Sequence, residues 1–533
     1  MQIALAQIDC TVGDIEGNAQ CIIDATRTAA ERGASLLVTP ELALSGYPPE
    51  DLLLRGGFNA ACATQLKRVA DATGSTAVLI GHPMQRDGKV FNAASILRHG
   101  RIVATYRKEL LPNNSVFDEE RYFEPANEAV VVDIDGVKFG ILICEDIWAE
   151  QPAARAKAAG AELLLVPNAS PFHIDKQRTR YDVAQDRIRE VGLPIVYVNS
   201  VGGQDELVFD GASFAMSRAG KIVFQARAFE ETIAMVSYNG GDIESSDIAE
   251  PLSLEASAYE ALCLGVKDYI GKNGFPGVLL GLSGGIDSAL TLCIAVDALG
   301  ADRVHAVMMP SQYTASISLD DAQTMASALN VQYSVIPIKP VFDSFNATLE
   351  PAFRGRSPDT TEENIQARIR GTLLMALSNK FGSIVLTTGN KSEMAVGYST
   401  LYGDMAGGFA VIKDISKTLV YKLSRYRNSI SGVIPERVIV RPPSAELRPD
   451  QTDQDSLPPY DVLDAIMEAY MERNETPQDI IASGYRRADV ERVVKLIKRS
   501  EYKRRQAPIG VRITERGFGK DWRYPITSKY QDI

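Results

Sequence analysis

The chain has 533 residues, which is too long for one ordinary hydrophobic core, so we expect two or more domains. Hydrophobic residues make up 45% and charged residues 23%, as in soluble globular proteins, and no apolar run reaches the roughly 18 residues of a membrane span. The net charge of −12 argues against a general nucleic-acid-binding protein, although it allows a local basic pocket.

The six cysteines include no Cys-x-x-Cys pair, and the chain has four histidines, so we expect neither a structural zinc site nor a disulfide framework. The N-terminus, residues 1–7, lacks the basic region of a signal peptide and is typical of a strand. We therefore expect a cytoplasmic protein.

The first domain is predicted over residues 1–240, where short strand-like runs alternate irregularly with helical stretches. Consecutive strands near 75–106 and 205–237 favour α+β layers over a doubly wound sheet. The predicted strands include 3–8, 35–38, 77–80, 129–132, 139–143, 163–166 and 195–198, and the predicted helices include 15–31 and 60–72.

Three motifs of this domain each place one reactive side chain directly after a predicted strand, where a rigid sheet can hold it. These side chains belong to Glu41, Lys108 and Cys144. A thiolate is a nucleophile, a nearby cation lowers the pKa of a thiol, and Glu41 can take the thiol proton and later activate water. Lys108 can stabilise the charge of a tetrahedral intermediate. The set is suited to hydrolysis of a C–N bond through a thioester.

The three motifs, in this order, resemble the nitrilase superfamily over most of residues 1–240. The resemblance implies an α-β-β-α layered fold in which Glu41 is the general base, Lys108 the charge stabiliser and Cys144 the nucleophile. It also implies that Glu120 is the family's supporting second glutamate.

The same resemblance assigns Ser170 and Lys176 to the α-amino and α-carboxylate groups of a glutamine substrate, with a turn and helix cap as the alternative role of the Ser170 segment. Asn114 departs from the family, which usually has tyrosine at that position.

A polar stretch over 240–250 interrupts the pattern, and we predict a linker over 241–260 and a second domain over 261–533. In this second domain strands and helices alternate regularly, which predicts a parallel sheet with crossover helices. The predicted strands are 278–282, 304–309, 332–337 and 384–388, the predicted helices are 288–299, 319–329 and 361–380, and a basic helical stretch is predicted over 486–505.

The most informative motif follows the first of these strands and opens a helix. Glycines there allow a close approach of the backbone, and backbone N–H groups at a helix start favour a phosphate. Its acidic residue suits Mg²⁺, and the motif resembles the pyrophosphate loop of the ATP pyrophosphatases. An unliganded glycine-rich turn is the alternative. The motif consists of Gly281, Leu282, Ser283, Gly284, Gly285, Ile286, Asp287 and Ser288.

Further motifs of the second domain resemble the synthetase domain of the NAD synthetase family over about residues 260–530, which implies a Rossmann-like ATP-pyrophosphatase fold. Asn364 and Arg368 are four residues apart and share a helix face. The resemblance assigns contacts with deamido-NAD to Asn364, Arg368, Glu393 and Lys503, contacts with ATP to Thr388, Lys417 and Ser444, and Mg²⁺ to Asp287 and Glu393. A substrate-side loop is predicted over 403–408.

The whole chain resembles the family of glutamine-dependent NAD synthetases. The resemblance implies that Cys144 releases ammonia from glutamine, and that the second domain adenylates deamido-NAD with ATP and Mg²⁺ before ammonia displaces AMP. It further implies a shielded path for ammonia and a homo-oligomer, with no nucleic-acid or membrane partner. Two alternatives are another glutamine-fed ATP pyrophosphatase, of the GMP or asparagine synthetase type, and an amidase regulated by a nucleotide-sensing domain.

Overall fold

A computed structural model of the chain describes residues 1–449, 451–455, 457–528 and 530. The chain divides into two compact units, Met1–Leu252 and Ser253–Ile533. Among the described residues, no helix combines the length and the apolar character needed to cross a membrane.

The first unit contains two large sheets, one with the strand order β15-β14-β1-β2-β3-β4-β5 and one with the order β13-β12-β9-β8-β7-β6. Strands β10 and β11 form a separate hairpin. The strands are β1 (Gln2–Gln7), β2 (Leu36–Val38), β3 (Ala77–Arg86), β4 (Lys89–Arg98), β5 (Arg101–Arg107), β6 (Val131–Ile134), β7 (Val137–Ile141), β8 (Leu163–Asn168), β9 (Ile195–Asn199), β10 (Val201–Gln204), β11 (Leu207–Asp210), β12 (Phe214–Met216), β13 (Ile222–Gln225), β14 (Thr232–Asn239) and β15 (Asp242–Ile243). The helices are α1 (Ile15–Glu31), α2 (Gly56–Asp71), α3 (Glu150–Ala158) and α4 (Lys176–Val191).

Alternating side chains of these strands build three apolar layers. Ile3 and Leu5 of β1 face the second sheet and join a core with Phe139 of β7, whereas Ala4 of β1 faces the other way and packs with Ile22 of α1. The outer face of the second sheet packs in the same manner on α3 and α4. The predicted α-β-β-α layering is therefore confirmed.

The boundary between the units lies between Leu252 and Ser253, so the stretch predicted as a linker, 241–260, is divided between them. Strand β15 pairs with β14, and Ile248 pairs with Gln225, because the polar stretch supplies backbone partners for a sheet edge. From Leu254 onward the chain is helical, with the Ser253 side chain as N-cap.

The second unit is built on a five-stranded parallel sheet with the order β18-β17-β16-β19-β20. Its strands are β16 (Val278–Gly281), β17 (Val304–Met308), β18 (Gln332–Val335), β19 (Ile384–Thr387) and β20 (Phe409–Ala410). Its helices are α5 (Leu254–Lys272), α6 (Ile286–Leu299), α7 (Ser316–Ala328), α8 (Lys339–Phe353), α9 (Thr360–Phe381), α10 (Lys391–Val396), α11 (Lys417–Ile430), α12 (Glu436–Val440), α13 (Tyr460–Met471), α14 (Pro477–Ala482), α15 (Arg487–Arg499) and α16 (Glu501–Arg504).

The predicted parallel sheet is confirmed, and its chain order reverses at β16. Strands β17 and β18 extend the sheet to one side of β16, while β19 lies on its other side. In parallel α/β sheets, ligands bind beyond the carboxyl ends of the strands at such a reversal. The pyrophosphate-like loop follows β16 at this point.

Two helices of the second unit differ from the sequence prediction. Helix α5 begins inside the predicted linker, and α8 lies between the predicted strand 332–337 and the predicted helix 361–380, where no helix was expected. In α8, Pro340 lies in the first turn, where its missing N–H costs no helical hydrogen bond, and Pro351 lies near the end. Because only Phe342 of α8 is buried, the apolar periodicity that reveals a core helix is weak.

One buried histidine makes the stability of the first unit depend on pH. Burial lowers the pKa of His82 from 6.5 to about 4, and its ring lies 2.7 Å from the Ser95 hydroxyl. The folded protein therefore keeps His82 neutral while the unfolded chain binds a proton, so stability present above pH 6.5 is lost as pH falls toward 4. At pH 5.5 this loss is about 1 kcal/mol relative to pH 7.5.

We expect His82→Asn to remove this acid-side loss. The measurement is urea unfolding at pH 7.5 and 5.5, followed by Trp148 fluorescence in a Trp522→Phe background. His99→Asn is the matched control because His99 is exposed. An equal pH dependence in His82→Asn and the parent would contradict the assignment.

Candidate active sites

The first candidate site is built around the buried ammonium group of Lys108, which directly follows β5. Lys108 Nζ donates to Glu41 Oε1 at 2.7 Å and to both carboxylate oxygens of Glu119 at 2.9 Å. The side chains of Lys108 and Glu41 are completely buried. Glu41 also accepts from Asn92 Nδ2 at 2.7 Å and from Ala169 N at 3.0 Å. Burial alone would lower the pKa of Lys108, but Glu119 and Glu41 raise it well above its ordinary value.

Cys144 lies three residues beyond β7, at the start of a 3-10 helix, Cys144–Trp148. It is buried, and its φ of 46° lies in the left-handed region that non-glycine residues rarely adopt. Such a backbone conformation persists only where the surrounding structure holds it, and it is common at functional sites. The left-handed conformation of Cys144 therefore supports its place in a functional site.

Lys108 lowers the pKa of the Cys144 thiol, as expected of a nearby cation, but other effects outweigh it. Burial and the charge of Glu41 raise the pKa of Cys144 well above its ordinary value, although Lys108 opposes them. Burial is the largest cause, and the Lys108 charge is already balanced by two carboxylates. The Cys144 thiol is therefore protonated at neutral pH.

The supporting glutamate is Glu119, and the prediction of Glu120 was wrong by one residue. Glu119 is buried against Lys108 and accepts from the Tyr47 hydroxyl at 2.8 Å. Glu120 is exposed and accepts from Asn113. The two residues share the short 3-10 helix Glu119–Arg121, in which neighbouring side chains point in different directions.

Ser170 is part of a buried polar network near the candidate nucleophile. Its hydroxyl accepts from Arg180 Nε at 3.1 Å, and its backbone N–H donates to Asn199. Arg180 also pairs with Asp210 at 2.9 Å. Lys176 begins α4, with Nζ 4.5 Å from the ring centre of Trp148. Asn114, where the related family usually has tyrosine, is exposed.

The second candidate site begins at the loop between β16 and α6. Gly284 has a φ of 79°, and a Cβ there would lie 2.4 Å from the Ser318 carbonyl oxygen, so only glycine fits. The Ser288 hydroxyl accepts from Ser283 N and donates to the Gly285 carbonyl. The N-terminus of α6 and this compact turn together form a cradle suited to a phosphate.

Asp287 and Glu393 converge on one cation in this site. The Lys417 ammonium, 1% exposed, pairs with Asp287 and lies 3.4 Å from Glu393 Oε1. Burial raises the pKa of Glu393 to about 8, and Asp287 and Glu393 together raise the pKa of Lys417 despite its burial. Lys417 was predicted to contact ATP; it lies between the two carboxylates that were predicted to hold Mg²⁺.

Asn390 connects these carboxylates. Its Nδ2 donates to Asp287 Oδ1 at 2.9 Å, while its Oδ1 accepts from Glu393 N at 3.0 Å as the N-cap of α10. The carboxylates supply oxygen ligands only, which suits Mg²⁺, so the donor set fits that ion. Among the described residues, no group of three or more His, Cys, Asp and Glu gathers as a metal site.

The remaining predicted residues hold the neighbouring segments. Asn364 accepts from Thr400 Oγ1 at 2.8 Å, and Arg368 Nε donates to the Leu401 carbonyl at 3.3 Å. Lys503 Nζ donates to two backbone carbonyls, those of Gly397 and Ser399. These three side chains therefore fix the segment that leads into the predicted substrate-side loop.

Thr388 and Ser444 are less closely tied to the carboxylate pair. Thr388 directly follows β19 and is half-buried. Ser444 is exposed and accepts from Glu446 N, while Glu446 accepts from the Ser318 hydroxyl. Arg441, in the same segment, donates to the Gly284 carbonyl at 3.2 Å.

Sequence reasoning missed Glu119, Asn92 and Asn390. Asn390 carried a usable signal, since Asn390 and Glu393 have the spacing of a capping box before a helix. Asn92 is one polar residue in the middle of β4, and nothing in its sequence neighbourhood distinguishes it from a structural asparagine.

Family models match both halves of the chain. The carbon-nitrogen hydrolase family matches residues 2–246, and the NAD synthase family matches residues 258–507. The chain is 50% identical to the glutamine-dependent NAD(+) synthetase of Xanthomonas campestris, covering 99% of this chain and 98% of that protein. It is 48% identical to the protein of the same name from Acinetobacter baylyi, with 99% of each chain covered.

The chain is also similar to solved structures over nearly its whole length. The glutamine-dependent NAD+ synthetase of Acinetobacter baumannii, solved in complex with ADP, is 45% identical, with a TM-score of 0.81 and 98% of each chain covered. A synthetase from Cytophaga hutchinsonii shares the fold at 23% identity, with a TM-score of 0.85 over 99% of this chain and 98% of that one.

The buried ion pairs of Lys108 yield a stability prediction. Lys108→Met would leave Glu41 and Glu119 buried without their cation, and breaking a buried pair costs about 3–5 kcal/mol. Lys89→Met is the matched control, because its pair with Glu124 at 3.3 Å is exposed and is worth less than about 1 kcal/mol. Urea unfolding at pH 7.5 measures both; equal costs would show that Lys108 does not hold the site together.

Proposed function

Because the chain belongs to the family of glutamine-dependent NAD(+) synthetases, we propose that it makes NAD⁺ by ATP-dependent amidation of deamido-NAD with ammonia from glutamine. AMP and pyrophosphate are the other products. The observation that carries the proposal is that one chain contains two centres, each with a buried lysine between two carboxylates. One centre lies beside a cysteine and the other beside a phosphate cradle.

In the first centre, the Cys144 sulfur attacks the side-chain amide carbon of glutamine while Glu41 takes the thiol proton. Lys108 stabilises the oxyanion of the tetrahedral intermediate. Ammonia leaves with that proton, and water activated by Glu41 then hydrolyses the glutamyl thioester. Ser170 and Lys176 hold the α-amino and α-carboxylate groups of the substrate.

In the second centre, the nicotinate carboxylate of deamido-NAD attacks the α-phosphorus of ATP, pyrophosphate leaves, and ammonia displaces AMP from the adenylate. Asn364, Arg368, Glu393 and Lys503 contact deamido-NAD in this proposal. The turn from Gly281 to Ser288, with Thr388, Lys417 and Ser444, binds ATP.

Asp287 and Glu393 would hold Mg²⁺, which supplies positive charge to the phosphate oxygens when bound. Lys417, which pairs with both carboxylates, would contact ATP beside them. Asn390 binds both the Asp287 side chain and the start of α10.

A cytoplasmic location and a homo-oligomer complete the proposal. The six cysteines form no disulfide among the described residues, which suits a reducing compartment. Another glutamine-fed ATP pyrophosphatase and a nucleotide-regulated amidase fit less well, since both halves of the chain match the two domains of this one family.

Replacement of Cys144 by alanine separates the two nitrogen sources. We expect Cys144→Ala to lose glutamine-driven NAD⁺ formation and to keep the reaction driven by ammonium chloride, because only the first centre uses the thiol. Cys21→Ala, a half-buried cysteine on α1, is the matched control and should keep both reactions. No NAD⁺ from the wild type with either nitrogen source would overturn the proposed function.

Replacement of Asp287 should impair the second centre and leave the first centre active. We expect Asp287→Asn to reduce NAD⁺ formation at least about 100-fold with either nitrogen source, since removing one electrostatic contact at a developing charge costs about 100- to 1,000-fold. Glutamine hydrolysis should continue. Asp302→Asn, at an exposed position of the same unit, should leave NAD⁺ formation unchanged. Retained synthesis in Asp287→Asn would remove this carboxylate from the proposed site.

A further inference from the structure

One buried carboxylate connects the segments that carry the two reactive groups of the first centre. Asp146 lies two residues after Cys144 and has no exposed surface. Its Oδ1 accepts from Glu109 N at 3.1 Å and from Leu110 N at 2.8 Å, the two residues that follow Lys108. Its Oδ2 accepts from Ile143 N at 2.9 Å, which immediately precedes Cys144.

A fourth hydrogen bond comes from the strand that leads to Lys108. The Tyr106 hydroxyl donates to Asp146 Oδ2 at 2.9 Å, and Tyr106 is itself 2% exposed. The carboxylate thus uses one oxygen for the residues after Lys108 and the other for the residue before Cys144. The end of β5 and the turn after β7 belong to different sheets, and in the described part of the chain no strand pairing joins these two sheets. The hydrogen bonds of Asp146 join the two segments directly.

We propose that Asp146 is a positioning residue for glutamine hydrolysis, which sets the place of Lys108 relative to the Cys144 thiol. The inference rests on the proposed function, because it concerns the rate of that reaction. Asp146 itself does not need to touch glutamine: its four acceptor positions are filled by the protein.

The isosteric substitution Asp146→Asn tests this proposal because the two oxygens have separate tasks. An amide has one oxygen, which accepts, and one NH₂ group, which only donates. In one orientation the NH₂ group meets the backbone N–H groups of Glu109 and Leu110, and in the other it meets that of Ile143. A backbone N–H cannot act as an acceptor, so a hydrogen bond is lost in either case. One of the two segments is then released. A displacement of about 1 Å from the reactive geometry can cost about 100-fold in rate.

We therefore expect kcat for glutamine hydrolysis to fall about 100-fold in the full-length Asp146→Asn protein. This kcat is calculated per reactive Cys144 thiol, which is counted by mass spectrometry after alkylation with iodoacetamide. KM for glutamine should change less than about threefold, because Ser170 and Lys176 are outside the tie. NAD⁺ formation from ammonium chloride should be unchanged. A merely structural role would lower the amount of reactive enzyme and leave kcat per reactive thiol unaltered.

Asp133→Asn is the matched control, since Asp133 is exposed on β6 and accepts from Gly136 N in a turn. Tyr106→Phe removes one donor of the four, and we expect a fall of about 3- to 10-fold; this variant decides the question if Asp146→Asn does not fold. Unchanged kcat in either folded variant would overturn the inference. Absence of glutamine hydrolysis in the wild type would instead contradict the proposed function.

Discussion

The first unit depends on burying the positive charge of Lys108 completely. A buried ion costs several kcal/mol unless excellent partners surround it, and here Glu41 and Glu119 provide them at 2.7–2.9 Å. These partners come from the end of β2 and from the turn at Glu119–Arg121, while the lysine follows β5. Three separate segments are thereby fixed around one point, and Asn92 and Tyr47 donate to the same oxygens, Oε1 of Glu41 and Oε1 of Glu119, that also accept from Lys108.

The second unit also places a buried lysine between two carboxylates, but these carboxylates are more exposed to solvent. Lys417 is as deeply buried as Lys108, but the side chains of Asp287 and Glu393 are each 17% exposed. A ligand can therefore reach these carboxylates, whereas the side chains of Lys108 and Glu41 have no exposed surface. This difference suits the two reactions: the first needs fixed groups around a thiol, and the second needs oxygens that a phosphate-bound cation can reach.

Much of this architecture could be predicted from the sequence where a pattern repeats or a motif has a fixed order. Helix α1 was predicted at Ile15–Glu31 as found, and the alternation after residue 260 predicted the parallel sheet. The prediction failed where the outcome depends on one residue or on a distant partner. Glu120 and Glu119 differ only in the direction that a 3-10 turn gives them, and α8 buries too little apolar surface to show its period.

The direction of the pKa shift of the Cys144 thiol could not be predicted from the sequence, because it depends on burial and on all the charges around the thiol. Lys108 alone would lower this pKa, but two carboxylates neutralise that lysine, and burial with Glu41 raises it. Likewise, nothing near Asp146 in the sequence shows that its partners are backbone groups after Lys108. Such contacts are decided by the packing of two sheets, not by local sequence.

The two carboxylates of the first centre suit two different tasks in the proposed reaction. In the proposed reaction the proton moves from Cys144 to Glu41 as sulfur attacks, so the net charge of the buried cluster does not change. Once protonated, Glu41 no longer balances Lys108, and the ammonium charge becomes available to the oxyanion that forms on the substrate. Glu119 accepts two bonds from Lys108, which hold the ammonium in place. A single carboxylate could not both accept the proton and anchor the lysine.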